Sequence, residues 1–153
     1  MIVVVGATAA DTILALNGLP LTSTVFNERW REGLASSLVT GIRELQRLDA
    51  RVDGVLLVMA DQPLVDAAAL RRLLAAFAEG ARLAAAEYSG TTGVPAVIGR
   101  EHLDSLLALE GDAGAGRWLR KKDRAVRRVP LPEAALDVDT TEDAALLATL
   151  ATP

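Results

Sequence analysis

The stretch Val55-Leu56-Leu57-Val58-Met59-Ala60-Asp61-Gln62-Pro63 is the part of the sequence that decides the fold. Its six consecutive apolar residues predict a strand that is buried on both faces, as strands inside parallel sheets are. Asp61 follows this strand directly, and ligands of open α/β sheets bind beyond the carboxyl ends of the strands. The sequence therefore predicts a functional role for Asp61. The alternative is that Asp61 only caps the turn to the next helix, for which Asp66 is the better cap.

Other apolar runs and helical patterns surround this strand. Further strands are predicted at Ile2–Val5, Leu83–Glu87, Ala96–Ile98 and Val126–Leu131. Apolar residues at helical spacing, with caps and closing glycines, predict helices over 34–45, between Asp66 and Gly80, and over Glu101–Leu109, Ala113–Lys122 and Thr141–Leu150. Strands that alternate with helices predict an α/β domain whose sheet is largely parallel.

The composition is that of a single-domain protein. Its 153 residues, 51% of them hydrophobic, predict one domain over residues 1–153 with one core. A net charge of -4 argues against nucleic acid as the main partner. No apolar stretch approaches the roughly 18 uncharged residues that a spanning helix needs. Because the start also lacks the pattern of a signal peptide, we expect a cytoplasmic protein without a membrane partner.

An acidic segment near the end of the chain offers a second group of oxygen ligands. It reads Asp137-Val138-Asp139-Thr140-Thr141-Glu142-Asp143, and its alternation sends Asp137 and Asp139 to one side of an extended backbone. Because the chain has no Cys and one His, any bound metal must lie on oxygen ligands. Mg²⁺ takes one or two carboxylates together with substrate phosphates, and Asp61 with Asp139 would form such a pair. The alternative is that these acids only cap the following helix.

Two glycine-bearing loops and one basic run complete the candidate features. The loops are predicted at 89–95 and 111–116, and neither matches the Walker or the dinucleotide-binding pattern. The basic run comprises Arg117, Arg120, Lys121, Lys122, Arg124, Arg127 and Arg128. It is either the solvated surface of a helix and an edge strand or a surface for an anionic substrate.

Five motifs occur in order along nearly the whole chain. They are Asn27-x-x-Trp30-x-x-Gly33-x-x-x-Ser37-Leu38, Leu57-Val58-Met59-Ala60-Asp61-Gln62-Pro63, Gly93-x-Pro95, Gly111-Asp112-x-Gly114-Ala115 and Asp137-Val138-Asp139-Thr140-x-Glu142-Asp143. This combination resembles the molybdenum cofactor cytidylyltransferases of the MobA-like nucleotidyltransferase family. The resemblance implies a Rossmann-like, three-layer nucleotidyltransferase fold. It also implies that a phosphate on molybdopterin attacks the α-phosphate of a nucleoside triphosphate, expected to be CTP, and that pyrophosphate is released with Mg²⁺.

The same resemblance implies roles for individual residues. Asp61 and Asp139 are similar to the two catalytic carboxylates that hold Mg²⁺, and Ser37 is similar to a serine that contacts the nucleotide base. The acceptor side is expected at Gly93, Pro95, Gly111 and Asp112, although Val94 stands where the family usually has His. The implied partners are a nucleoside triphosphate, which Asp61 also contacts, a molybdopterin-type acceptor and a molybdenum hydroxylase.

The chain departs from the family at its start. Family members begin with a strand, a glycine-rich Leu-Ala-Ala-Gly loop that cradles the triphosphate, and a helix, whereas Ile2–Val5 resembles their second strand. We therefore expect an N-terminally incomplete fold with impaired turnover, because phosphoryl-type transfer depends on positioning and charge neutralisation. A non-catalytic domain that binds the cofactor or a partner oxidoreductase is the alternative function. A receiver-type signalling domain with Asp61 as phosphoacceptor is the third hypothesis, for which a suitable Lys is missing.

Overall fold

A computed structural model of the chain describes residues 1–20, 23–48, 51–138, 140, 142, 143, 145 and 147. In chain order, the strands are β1 (Ile2–Val5), β2 (Ser23–Phe26), β3 (Gly54–Leu57), β4 (Leu83–Tyr88), β5 (Thr91–Gly99) and β6 (Arg127–Pro130). The helices are α1 (Ala9–Ala15), α2 (Leu34–Leu48), α3 (Ala67–Ala78), α4 (Leu103–Leu107) and α5 (Ala115–Lys121). Within the described ranges, each helix is too short or too polar to span a membrane.

The chain divides into two compact units, and the first comprises Met1–Gly54 and Gly99–Trp118. Its sheet has two parallel strands, β1 and β2, joined through α1. Helix α2 packs on β1 and on α4, and it buries Ala35, Val39 and Ile42. These side chains recur at helical spacing, so the helix predicted over 34–45 is confirmed, but its buried face differs from the expected one, because Leu34 is exposed and Ala35 and Val39 are buried instead.

The second unit comprises Val55–Ile98 and Leu119–Pro153, and its sheet has the strand order β3-β5-β4-β6. Helix α3 begins where predicted, because the Asp66 carboxylate accepts a hydrogen bond from the Ala69 amide at 2.8 Å. Its buried Ala69 and Leu73 pack against β4, where Ala84 and Ala86 are fully buried. The small alanine side chains let the helix approach the sheet closely, and the site described below lies in this unit.

The predicted α/β fold with a largely parallel sheet is confirmed, with one antiparallel exception. Strands β1 and β2 are parallel, as are β4 and β6, but β5 runs antiparallel to β4. The exception arises because Ser89 and Gly90, both at positive φ, close a two-residue hairpin between β4 and β5.

Several predicted boundaries were wrong. The segment 89–95 is a turn of two residues followed by β5, so Gly93 and Pro95 lie in a strand and not in a loop. The strand predicted over Val55–Ala60 ends at Leu57, so Asp61 is separated from it by a turn. Helix α1 and strand β2 were not predicted, because their short segments lack a clear period. Asp139 and most of the helix predicted over 141–150 lie outside the described residues.

A charged side chain links β2 to α2 in the first unit, and its effect on stability should depend on pH. The Glu44 carboxylate accepts hydrogen bonds from Arg47 Nε at 2.8 Å and from Ser23 Oγ at 2.6 Å. The Arg47 bond, and then the Ser23 bond, lower the pKa of Glu44 to about 2. A lowered pKa means that the contribution to stability is complete above the ordinary pKa and disappears as the pH falls through the folded value.

We therefore expect Glu44→Gln to reduce the free energy of unfolding at neutral pH but to have a smaller effect at about pH 3. Urea unfolding of both proteins at the two pH values measures the difference. An equal loss at both values would show that the charge of Glu44 does not carry the effect.

Candidate functional site

Asp61 lies in the turn that follows β3 and is half-buried. Its backbone carbonyl accepts a hydrogen bond from the Val138 amide at 2.8 Å. This bond places the acidic segment beside the turn, so that Asp137 and Asp61 lie on adjacent backbone segments although 76 residues separate them in the sequence. The turn after β3 and the start of the acidic segment thus lie together in the second unit, whereas Asp139, the predicted partner of Asp61, lies outside the described residues.

Gln62 is the buried residue that fixes this turn, with 5% of its surface exposed. Its Nε2 donates to the Ala134 carbonyl at 2.9 Å and to the Val94 carbonyl at 3.3 Å. One side chain thus joins the turn after β3, strand β5 and the 3₁₀ turn Pro132–Ala135, which precedes the acidic segment. Val94 precedes a cis peptide bond to Pro95.

Tyr88, at the end of β4, is half-buried, and its hydroxyl lies against Gly93 of β5. Burial raises the pKa of its phenol, and so do the charges of Asp137 and Asp61. A hydrogen bond with the Gln62 side chain and the positive charge of Arg120 lower the pKa, but the net change is upward. The phenol therefore keeps its proton at neutral pH and can donate a hydrogen bond.

Arg120 is the member of the basic run that reaches this cluster. Its Nη1 donates to the Thr92 carbonyl at 3.3 Å, next to Gly93. Two other members are held by acids on the surface of the same unit, since Arg127 pairs with Glu79 and Arg128 pairs with Glu87 and Asp123. The interpretation as a charged surface therefore fits Arg127 and Arg128.

The remaining predicted site residues lie in the first unit, around the start of α2. Ser37 Oγ accepts a hydrogen bond from Asn27 Nδ2 at 3.0 Å, and the same amide donates to Ser36 Oγ at 2.8 Å. Asn27 is buried, with 2% of its surface exposed. This network gives Ser37 a structural role, in addition to its predicted contact with the nucleotide base.

Gly111 and Asp112 also contact the start of α2. The Gly111 carbonyl accepts a hydrogen bond from the Ala35 amide at 3.0 Å, and the loop lies directly against Gly33. Ser37, Gly111 and Asp112 therefore belong to the first unit. Asp61, Gly93 and Pro95 belong to the second unit.

Two residues of the cluster, Gln62 and Tyr88, were given no role from the sequence, and Arg120 was considered only as one member of the basic run. Tyr88 is the only tyrosine of the chain and stands at the end of a predicted buried strand. That combination was the available signal, because polar groups at strand ends are frequent site residues in α/β sheets. No comparable signal distinguished Arg120 from its basic neighbours.

The carboxylates of this cluster are of the ligand type that a hard divalent cation prefers. The described residues contain no group of three or more acidic, His or Cys side chains that could hold a metal by themselves. Mg²⁺ does not require such a group, since it keeps several waters and binds through one or two carboxylates and substrate phosphates. Asp61 and Asp137, which both act on the Tyr88 hydroxyl, are the described carboxylates suited to this role.

The position of the Tyr88 hydroxyl explains why residue 93 is glycine. A Cβ atom at Gly93 would lie 2.6 Å from Tyr88 Oη and 3.3 Å from its Cζ. We expect Gly93→Ala to lower the free energy of unfolding by about 1–3 kcal/mol, the usual cost of forcing extra volume into a packed site. Urea unfolding of the single variants and of the double variant with Tyr88→Phe measures this effect.

In the double variant, most of the loss should be recovered, because removal of the hydroxyl leaves Cζ as the nearest atom. An equal loss in both backgrounds would show that the hydroxyl does not occupy this position.

The single tyrosine allows the charge environment of the cluster to be measured directly. Because the negative charge of Asp137 raises the pKa of Tyr88, Asp137→Asn should lower it. Titration of the near-ultraviolet absorbance of tyrosinate measures this pKa without interference from another tyrosine. Asp104→Asn, an exposed carboxylate of the first unit, is the control and should leave the titration unchanged. An unchanged titration in Asp137→Asn would contradict the arrangement.

Comparison with solved structures gives relatives with the same fold along almost the whole chain. A homologue of Rv0371c from Mycobacterium sp. strain JC1 is 30% identical, with a TM-score of 0.72 over 97% of this chain and 73% of that one. Rv0371c of Mycobacterium tuberculosis H37Rv, solved as a complex with manganese, is 29% identical, with a TM-score of 0.74 over 95% and 75%. A nucleotidyl transferase from Methanothermobacter thermautotroptrophicus is 25% identical, with a TM-score of 0.73 over 97% and 71%.

The sequence itself decides the family. Comparison with curated proteins finds no match. Residues 1–126 match the family described as the MobA-like NTP transferase domain, which implies a nucleoside triphosphate as substrate. The match covers more than half of the chain and agrees with the fold of the solved relatives, so this chain belongs to the MobA-like NTP transferase domains.

Proposed function

We propose that this domain transfers CMP from CTP to a phosphate on the molybdopterin cofactor, with Mg²⁺ and release of pyrophosphate. The nucleotidyltransferase family supports the reaction class. The choice of CTP and of molybdopterin rests on the five ordered motifs, which resemble those of the cytidylyltransferases.

One observation carries the proposal most directly, namely that the Val138 amide binds the Asp61 carbonyl, which brings the turn of Asp61 next to Asp137. The charges of Asp61, Asp137 and Arg120 all act on the pKa of Tyr88. Carboxylates that converge beyond a strand end suit a divalent cation, and the cation would neutralise charge on the phosphates of the nucleotide. The manganese complex of Rv0371c supports this assignment, since Mn²⁺ and Mg²⁺ share a preference for oxygen ligands. Asp139, the second predicted carboxylate, would complete the group.

The other residues of the cluster would act by positioning. Gln62 holds three backbone segments together. The carboxylates of Asp61 and Asp137 would therefore keep their positions when substrates bind. Ser37 would contact the nucleotide base, and Gly93, Pro95, Gly111 and Asp112 would line the acceptor side. These assignments follow the resemblance of the motifs.

The test is pyrophosphate release from the complete protein with Mg²⁺, the molybdopterin cofactor and either CTP or GTP. Release with CTP that requires both the cation and the acceptor is the expected result. Release with GTP but not with CTP, under the same conditions, would overturn the choice of CTP as the substrate.

The alternative, a non-catalytic binding domain, predicts binding of the pterin cofactor without nucleotide binding. Calorimetric titration with each compound separately distinguishes the two functions. Cofactor binding with no CTP binding and no pyrophosphate release would contradict the proposed reaction.

A further inference from the structure

We propose that Tyr88 and Arg120 together bind a phosphate group beside the carboxylates of Asp61 and Asp137. The inference deepens the proposed function, on which it rests, by naming the side chains that hold one of its phosphate groups. The phosphate could belong to the nucleotide or to a monoester acceptor, which share this chemistry.

The two side chains are anchored on consecutive residues of β5. The Tyr88 hydroxyl lies against Gly93, where the absence of a Cβ makes room for it. Arg120 Nη1 donates to the carbonyl of Thr92, the preceding residue. The hydroxyl and the guanidinium are therefore held on the same short stretch of backbone, and the positive charge of Arg120 acts on the phenol.

The chemistry of the pair suits a phosphate. The phenol is a neutral donor, and the guanidinium carries several N–H groups in a fixed plane that matches phosphate oxygens. One of these groups binds the Thr92 carbonyl, and the exposed side chain presents the others to solvent. Hydrogen bonds from a charged donor to phosphate are among the stronger ones in proteins.

Arg120 differs in its hydrogen-bond partner from Arg127 and Arg128, which lie further along the basic run. Arg127 and Arg128 are engaged with carboxylates of neighbouring elements, whereas Arg120 donates to a backbone carbonyl, which leaves its charge uncompensated by that contact. The same comparison supplies a control, because Arg124 lies in the next turn of the chain and is exposed. Loss of Arg124 removes an equal charge from a residue that is not among those that shift the pKa of Tyr88.

The experiment is calorimetric titration of the complete protein, in the presence of Mg²⁺, with three probes: CTP, pyrophosphate and phenyl phosphate. Mg²⁺ is included because the two carboxylates would otherwise repel the anion. The variants are Tyr88→Phe, Arg120→Gln and the control Arg124→Gln. Tyr88→Phe removes only the hydroxyl, so the packing of the ring is preserved.

We expect Tyr88→Phe to weaken binding of at least one probe about tenfold, the lower end of the effect of one lost hydrogen bond to a charged group. Arg120→Gln should weaken the same probe by more than about tenfold, because a charge is lost as well. Arg124→Gln should change each affinity less than about twofold. Equal affinities in wild type and Tyr88→Phe, or an Arg124→Gln effect as large as that of Arg120→Gln, would overturn the proposal.

The probes identify the source of the phosphate. A loss confined to phenyl phosphate assigns the pair to the acceptor, and a loss for CTP and pyrophosphate assigns it to the nucleotide. If these losses occur but no pyrophosphate is released in the complete reaction, the phosphate site stands and the proposed transfer fails. If transfer occurs and the variants bind the probes like wild type, the proposed transfer stands and the phosphate site fails.

Discussion

Asp61→Asn is expected to lower the rate of Mg²⁺-dependent pyrophosphate release by about 10²–10³-fold or more, since charge stabilisation by a bound cation contributes several kcal/mol. Asparagine keeps the shape of the side chain, and the backbone bond from Val138 to the carbonyl of residue 61 does not involve the carboxylate. The substitution therefore removes a charge from the cluster while it leaves the turn after β3 in place.

Cation binding can be measured without turnover, so a loss of metal affinity can be distinguished from a loss in the rate of the chemical step. Free Mn²⁺ gives a strong electron paramagnetic resonance signal that decreases on binding, so a titration reports the affinity directly. We expect Asp61→Asn to weaken Mn²⁺ binding at least about tenfold. Asp104→Asn removes an exposed carboxylate from α4 and serves as the control. Equal Mn²⁺ affinities of wild type and Asp61→Asn would exclude Asp61 as a ligand.

Local sequence patterns were sufficient to predict much of the fold. Helix α3 has a cap at Asp66, an apolar face and a closing glycine, and each of these signals lies within 15 residues of the others. Strand β5 shows where such patterns fail. Gly93 and Pro95 are typical of loops, yet they lie inside a strand, because Gly93 makes room for Tyr88.

The candidate site could be predicted less completely from the sequence, because its contacts join distant parts of the chain. Gln62 binds backbone groups 32 and 72 residues away, and nothing near Gln62 in the sequence indicates these partners. Asp61 could be predicted because a strand end is a local signal with a known meaning in α/β sheets. The role of Tyr88 emerges only when β4 is paired with β5.

Gly33→Ala should be among the most destabilising single substitutions in the first unit. Gly33 has a φ of 103°, and a Cβ atom there would lie 2.5 Å from both the carbonyl carbon and the oxygen of Gly111. Backbone strain and the clash act together, so we expect a loss of about 3 kcal/mol or more in the free energy of unfolding. Urea unfolding measures the loss.

Gly18→Ala separates the two causes, because Gly18 also has a positive φ, 84°, but a Cβ atom there would meet nothing within 4 Å. This control should lose only the cost of backbone strain, about 1 kcal/mol. The difference between the variants then measures the contact between residue 33 and the loop at 111–112. A large difference would mean that the predicted acceptor residues Gly111 and Asp112 are held by the glycine before α2, the helix that carries Ser37. Equal losses would show that the loop moves aside easily, so that Gly33 is required for its backbone conformation alone.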